Sequence, residues 1–324
     1  MPKKKRQASG GKGSGKAAPR NETAATTIAA LTAGKLSPTH RGADAAVRRR
    51  IRAAIETPPV RLDLAAVPAR EGERGGGPVD RAAVPARGGE RGGGPALVLF
   101  DGTSFEAAAW AELWLRDRGL APAPCVLDFA SDSNAGGGWR GRQRGTQEEA
   151  LCRASSLGLA LERCPGAFGI PADGALYVRD VAVVRCDRSG AWRDADAAGD
   201  SRDPGRVFWC AAVAAALREC GGEGDRRLDA KVGGVAAAAV EAGHAALVGG
   251  AWGCGAFGND AAAVAAAWGR AARGPAGAGL DLLVLALPRG AARAEFACAL
   301  PGAAAAAAGD DPRDAFADRD AAPL

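Results

Sequence analysis

Three consecutive glycines, Gly136, Gly137 and Gly138, stand eight residues before Gln147-Glu148-Glu149, and the spacing brings two kinds of chemistry to one place. Glycine runs permit positive φ angles and let the backbone approach a ligand closely. The two carboxylates open a segment, Gln147 to Leu157, that reads as a helix. Neighbours on a helix point about 100° apart, so Glu148 and Glu149 cannot clamp one scissile bond from opposite faces as the usual glycosidase pair does. One can serve as acid while the other grips a substrate hydroxyl. Burial and like-charge proximity raise the pKa of the more enclosed carboxyl, whereas the helix N-terminus favours the ionised form. Burial has to win if Glu149 is to hold a proton near neutral pH. The same residues also suit plain helix capping, so this segment alone leaves both readings open.

A second segment narrows the choice. His244 to Val248 reads as an apolar strand running into Gly249-Gly250-Ala251-Trp252-Gly253-Cys254-Gly255-Ala256-Phe257-Gly258-Asn259-Asp260, which opens another helix. Such a loop offers unpaired N–H groups to a phosphate. It lacks the Gly-Lys-Ser/Thr of the P-loop and the full dinucleotide fingerprint.

Together the two segments resemble the bacterial-type poly(ADP-ribose) glycohydrolases, a macrodomain branch. Phe129-Ala130-Ser131 through Asn134-Ala135-Gly136-Gly137-Gly138 is similar to that family's strand and ribose loop. Gln147-Glu148-Glu149-Ala150-Leu151-Cys152-Arg153-Ala154-Ser155-Ser156-Leu157 is similar to its catalytic helix, Leu176 to Val181 to a strand between the motifs, and Gly250 to Asp260 to its diphosphate loop. The resemblance implies an α/β three-layer fold with a mixed central sheet flanked by helices, and hydrolysis of ribose-ribose O-glycosidic bonds to release ADP-ribose. It implies neither metal nor cofactor. By position it makes Glu149 the catalytic acid and Glu148 the partner that holds ribose hydroxyls. Asn134, Gly136, Gly137, Gly138 and Gln147 fall on the ribose side, Gly253, Cys254, Gly255 and Ala256 at the diphosphate, and Phe257 beside the distal ribose. Two departures stand out. Asp128 replaces the family's usual Asn, which makes the site more negative, and Ala135 replaces a Pro, which loosens the loop. They keep two alternatives open: an ADP-ribose-binding macrodomain of weak or lost activity, and a mono-ADP-ribosyl protein hydrolase.

The elements that must position these residues alternate. Helices are expected near Glu22–Ala33, Asp44–Glu56, Phe105–Arg118, Gln147–Leu161, Arg226–Ala242 and Asp260–Arg273, with Asn21 and Ser104 as N-caps. Strands are expected near Ala96–Phe100, Cys125–Phe129, Ala175–Val178, Val181–Arg185, Val207–Ala211, Ala245–Val248 and Asp281–Leu287. The alternation argues an α/β layered domain. Gly233-Gly234 interrupts an alanine-rich helical pattern, and each Gly costs about 1 kcal/mol relative to Ala there.

Residues 21–300 are expected to form one macrodomain-like unit. Residues 1–20 form a basic tail with seven Lys and Arg and no acid, so of the net charge of +5 the remaining chain carries −2. That balance gives no gross basic surface for duplex binding. Pro2-Lys3-Lys4-Lys5-Arg6 resembles a nuclear import signal, which would make an import receptor a partner and the nucleus the location; a solvated basic tail is the alternative. Between 65 and 95 a 17-residue unit, beginning Ala65-Ala66-Val67-Pro68, recurs from Ala82. Its Gly, Pro and Arg cannot bury a core, so it reads as a flexible insertion. Residues 301–324 read as a low-complexity tail. The longest apolar runs fall far short of the roughly 20 residues a bilayer span needs. Eight cysteines show no Cys-x-x-Cys pair, which argues against zinc. His40 and His244 belong to no catalytic motif. Poly(ADP-ribose) or ADP-ribosylated proteins are the expected partners, no membrane is, and the chain is expected to be a monomer.

Overall fold

A computed structural model describes residues 20–33, 45–66, 94–120, 123–141, 145–164, 168–193, 206–218, 226–288 and 290–314. Sixteen elements follow among them: α1 (Arg20–Ala33), α2 (Ala45–Glu56), β1 (Val60–Asp63), β2 (Ala96–Asp101), α3 (Ser104–Asp117), β3 (Cys125–Phe129), α4 (Gln147–Ala154), α5 (Leu157–Leu161), β4 (Gly174–Val183), β5 (Phe208–Ala215), α6 (Arg226–Glu241), β6 (Ala246–Gly250), α7 (Ala261–Arg273), β7 (Leu282–Ala286), α8 (Ala291–Ala299) and β8 (Ala304–Ala307). The strands form one mixed sheet in the order β1-β4-β5-β3-β6-β7-β2-β8. β4 is antiparallel to β1 and β5, and the run from β5 to β8 is parallel.

Strand alternation divides the core into layers. Val98 and Phe100 of β2, Val126 of β3 and Val284 of β7 pack with Phe105, Trp110 and Leu151 on the α3–α4 side. Leu99, Leu127 and Leu285 pack with Val235, Val264 and Trp268 on the α6–α7 side. Leu31 and Ile51 bring α1 and α2 onto Ala182 and Val184 near the antiparallel edge. The expected three-layer α/β architecture is therefore present. Among the described residues no helix is long and apolar enough to cross a membrane.

Several expectations change in detail. The helix expected over Gln147–Leu161 breaks at Ser155, which is extended (φ −148°, ψ −178°) and bridges Val183. Ser155 Oγ accepts from Leu157 N and Ser156 Oγ from Ala182 N, so two hydroxyls take over backbone pairing and tie the helix to β4. The two strands expected over 175–185 are one, with a register shift between Val178 and Val181. β5 extends to Ala215 despite its alanines, because β3 and β4 pair with it on both edges. β1 and α8 had no expected counterpart. The segment expected as a low-complexity tail from 301 supplies β8, whose small alanines pair with β2 and close the parallel edge. Thr103, not Ser104, caps α3, accepting from Glu106 N; the Asn21 side chain and His40 lie outside the described residues. α6 runs unbroken through Gly233-Gly234, since a Cβ on Gly234 would sit 2.7 Å from Leu64 Cβ and the glycine is needed for close packing.

Candidate active site

The two glycine loops meet because their strands are adjacent and parallel. β3 and β6 pair side by side in parallel, so the loops that leave Phe129 and Gly250 emerge together at the carboxyl ends of the central strands, the usual place for a ligand on parallel strands. Gly250 lies against the Phe129 ring: a Cβ there would stand 3.2 Å from it and 2.6 Å from the Ala286 carbonyl oxygen. Arg218, just past β5, forms an ion pair with Asp132 of the first loop.

Gln147 fastens α4 to the end of β3. Its Oε1 accepts from Phe129 N at 2.9 Å, and its Nε2 donates to Leu127 O at 2.8 Å and to Ser104 Oγ at 3.1 Å. A residue expected on the ribose side thus has its amide engaged by the protein, and its visible role is to register helix against strand.

The glycine loop lies across the first turn of α4. Gly136 and Gly137 adopt φ of 70° and 57°, and a Cβ on Gly137 would fall 2.6 Å from Glu149 Oε1 and 2.8 Å from Glu148 Oε2. Only glycine fits over both carboxylates. Glu149 accepts from Gly138 N at 3.0 Å, from Thr146 N at 3.0 Å and from the Thr146 hydroxyl. Glu148 accepts from Ser131 N at 2.8 Å, and its Oε1 is buried without a partner among the described residues. Both glutamates are buried, Glu148 the more deeply. Burial first, then the Asp128 charge, pushes the Glu148 carboxyl well above the ordinary range. The burial-driven rise expected of Glu149 falls instead on Glu148, the more enclosed member, while Glu149 is the acceptor that pins loop and cap together.

Arg153 completes the arrangement. Its guanidinium donates to Trp139 O at 2.8 Å and to Gly138 O at 3.1 Å. Trp139 is buried, and its indole N–H donates to Glu162, which also pairs with Arg140. These anchors hold the loop although Ala135 stands in place of a proline, so the expected looseness is countered by side-chain ties. Arg153, Trp139 and Glu162 were not singled out from the sequence. The signal available for Arg153 was its position four residues after Glu149, on the same helix face.

Asp128 is wholly buried, and neither of its oxygens has a hydrogen-bond partner among the described residues. Desolvation first and Glu149 second push its carboxyl far up. Cys152 packs beneath the loop: a Cβ on Gly136 would lie 3.0 Å from its Sγ. It is a packing thiol, raised by burial. Asn134 is exposed, with its Nδ2 3.3 Å from Ser133 Oγ.

In the second loop Gly253 and Gly258 take φ of 74° and 69°. Asn259 Nδ2 donates to Leu217 O at 3.3 Å, and Asn259 N to Gly253 O at 3.1 Å, which closes the loop against β5. Cys254 N donates to Ala251 O at 3.2 Å, so this amide, expected at the diphosphate, is already paired within the loop. Gly255 and Ala256 are exposed and Phe257 is half-buried at the rim. Asp260 caps α7 by accepting from Ala263 N at 2.7 Å.

His244 is buried between Tyr177 OH (2.9 Å) and Ala123 O (2.8 Å), a structural position away from the glutamates. The described cysteines are unbridged and Cys220 lies outside the described residues. Among the described residues no cluster of His, Cys, Asp and Glu is arranged to hold a metal.

The family model "microbial-type PARG, catalytic domain" matches residues 98–182, a span that carries β2 to β4, the glycine loop and α4. The poly(ADP-ribose) glycohydrolase of Thermomonospora curvata is 25% identical, with a TM-score of 0.64 over 86% of this chain and 98% of that one. The same enzyme bound to the inhibitor ADP-HPD gives 24% identity and a TM-score of 0.61 over the same shares. The enzyme of Deinococcus radiodurans in complex with ADP-ribose gives 23% identity and a TM-score of 0.52 over 77% of this chain and 96% of that one. No curated protein matches in sequence. Over residues 98–182 and in its fold, the chain is similar to the bacterial-type poly(ADP-ribose) glycohydrolases.

Proposed function

We propose that the chain hydrolyses ribose-ribose O-glycosidic bonds of poly(ADP-ribose) and releases ADP-ribose. The observation that carries this reading is the pair Glu148–Glu149 fixed under Gly137 at the meeting point of the two glycine loops. ADP-ribose would lie across the carboxyl ends of those strands, with its diphosphate on the backbone of Gly253, Gly255 and Ala256, Phe257 beside the distal ribose, and Asn134 and the Gly136–Gly138 backbone at the ribose. The resemblance gives Glu149 the proton transfer to the departing ribose oxygen and Glu148 the ribose hydroxyls. Glu148 is the more enclosed, so the pair keeps a proton available at neutral pH. As the bond breaks, an oxocarbenium-like centre grows at the anomeric carbon and the diphosphate offsets its charge. Water then attacks, with Glu149 as general base.

The test is release of free ADP-ribose from purified poly(ADP-ribose), with Glu149→Gln beside the wild type and calorimetric binding of ADP-ribose to both. The expected result is turnover in the wild type, loss of about 10²–10⁴-fold in the variant, and binding in both. Binding without turnover in either would make the protein an ADP-ribose reader. Release only from singly modified proteins would favour the mono-ADP-ribosyl hydrolase.

The basic run Pro2–Arg6, outside the described residues, supports a second proposal of nuclear import. Localisation of the tagged chain with and without Lys3→Ala, Lys4→Ala and Lys5→Ala tests it; an unchanged distribution refutes it.

A further inference from the structure

The odd member of the site is Asp128. Val126 and Asp128 share one face of β3, and Val126 packs in the α3–α4 layer with Leu151 and Cys152 of α4. The Asp128 carboxyl therefore lies on the side of the sheet that α4 covers. Gln147 straddles it, bonded to the backbone of Leu127 and Phe129 on either side. The side chain has no exposure, and both oxygens are buried without a partner. Nothing in the reaction described above uses it. An ionised carboxylate cannot sit desolvated, unpaired and close to two other carboxyls without a large penalty.

We propose that Asp128 is kept as a neutral carboxylic acid beneath α4 and acts as a positioning residue, letting Glu148 and Glu149 lie side by side under the glycine loop. The groups that face it are Glu148, Glu149 and the Cys152 thiol from α4, with Ala214 opposite on β5. Arg153, the cation of α4, is turned to the loop carbonyls. Burial first and Glu149 second push the Asp128 carboxyl toward the protonated form. Ionisation would add a buried negative charge beside the glutamate pair, drive the first turn of α4 from its register and repel the ligand's diphosphate. This deepens the glycohydrolase reading and rests on it for the kinetic arm alone.

The full chain labelled with ¹³C at aspartate carboxyls is followed by NMR from pH 5 to 10, in the wild type, Asp128→Asn and Glu149→Gln. One carboxyl resonance is expected at the protonated position at pH 7, absent in Asp128→Asn. In Glu149→Gln it should titrate at lower pH, because a like charge is gone; this variant keeps the assignment testable if Asp128→Asn does not fold. An aspartate set fully ionised at pH 7 overturns the proposal whether or not the protein turns over substrate. With poly(ADP-ribose), kcat/KM of the wild type should fall about tenfold per pH unit above the Asp128 titration, and Asp128→Asn should carry activity to higher pH. An identical alkaline limb in both would remove the positioning role.

Discussion

Glu149 and Arg153, one turn apart on α4, hold the two polar ends of a single residue: Glu149 accepts the Gly138 N–H at 3.0 Å and Arg153 donates to the Gly138 carbonyl at 3.1 Å. An i, i+4 pair that would bond to itself on a bare helix here grips the loop between its members. The glycine loop is thereby fixed to the helix that bears Glu148 and Glu149, and loop and helix share one unit.

Removing the Arg153 end of that grip should show as lost positioning. Arg153→Met leaves the carbonyls of Gly138 and Trp139 without their donor, at about 1–3 kcal/mol for each group left unpaired in the interior. Turnover should fall by about 10²-fold, the order expected for an ångström of misplacement, while Glu149 itself is intact. Steady-state kinetics with thermal melting checks both; full activity with a lowered melting point would make Arg153 a purely structural residue.

Gly137→Ala puts a methyl group within 2.6–2.8 Å of both glutamates at φ 57°. The loop must lift or the carboxylates must turn away. Turnover is expected to vanish with far-UV circular dichroism unchanged and a stability loss of about 1–2 kcal/mol. An active Gly137→Ala variant would show that the loop does not press on the pair during catalysis.

The two glycines of α6 should respond in opposite directions. At Gly233 the nearest atom to an added methyl is Ala276 Cβ at 3.7 Å, so Gly233→Ala should stabilise by up to about 1 kcal/mol through helix propensity. Gly234→Ala should destabilise by about 1–3 kcal/mol, because the methyl meets Leu64. Chemical denaturation of both variants compares them directly; equal shifts would mean that Leu64 and its segment move aside.

Stability should fall as pH rises from about 4, where unfolded carboxyls titrate, through about 8 and about 9, where native Asp128 and Glu148 titrate. Native Asp128 and Glu148 hold their protons to higher pH than the unfolded chain does, so the native state binds more protons over that window. His244 acts in the opposite sense. Its folded pKa is lowered by burial, so its contribution is lost as pH falls below its unfolded value near 6.5. Melting temperatures between pH 5 and 9 should therefore decline on the alkaline side, and Glu148→Gln should flatten that decline. A wild-type curve that rises throughout would mean that neither carboxyl is protonated in the native state.

The residues of the site and the strands beneath them were legible in the sequence, because the chemistry is local. Gln147-Glu148-Glu149 opens a helix wherever that helix is placed, three glycines make a close turn, and apolar alternation at Cys125–Phe129 and Leu282–Ala286 marks strands that the sheet then occupies. Tertiary contacts decided the rest. Helix breakage at Ser155 depends on β4 offering Val183 and Ala182 as partners, the alanines of β5 and β8 become strands only because a neighbour pairs with them, and Gly234 is a packing residue only once Leu64 lies against it. The same holds for the two glutamates: only the fold buries Glu148 beside Asp128, which raises its carboxyl, and turns Glu149 to the amides of Gly138 and Thr146.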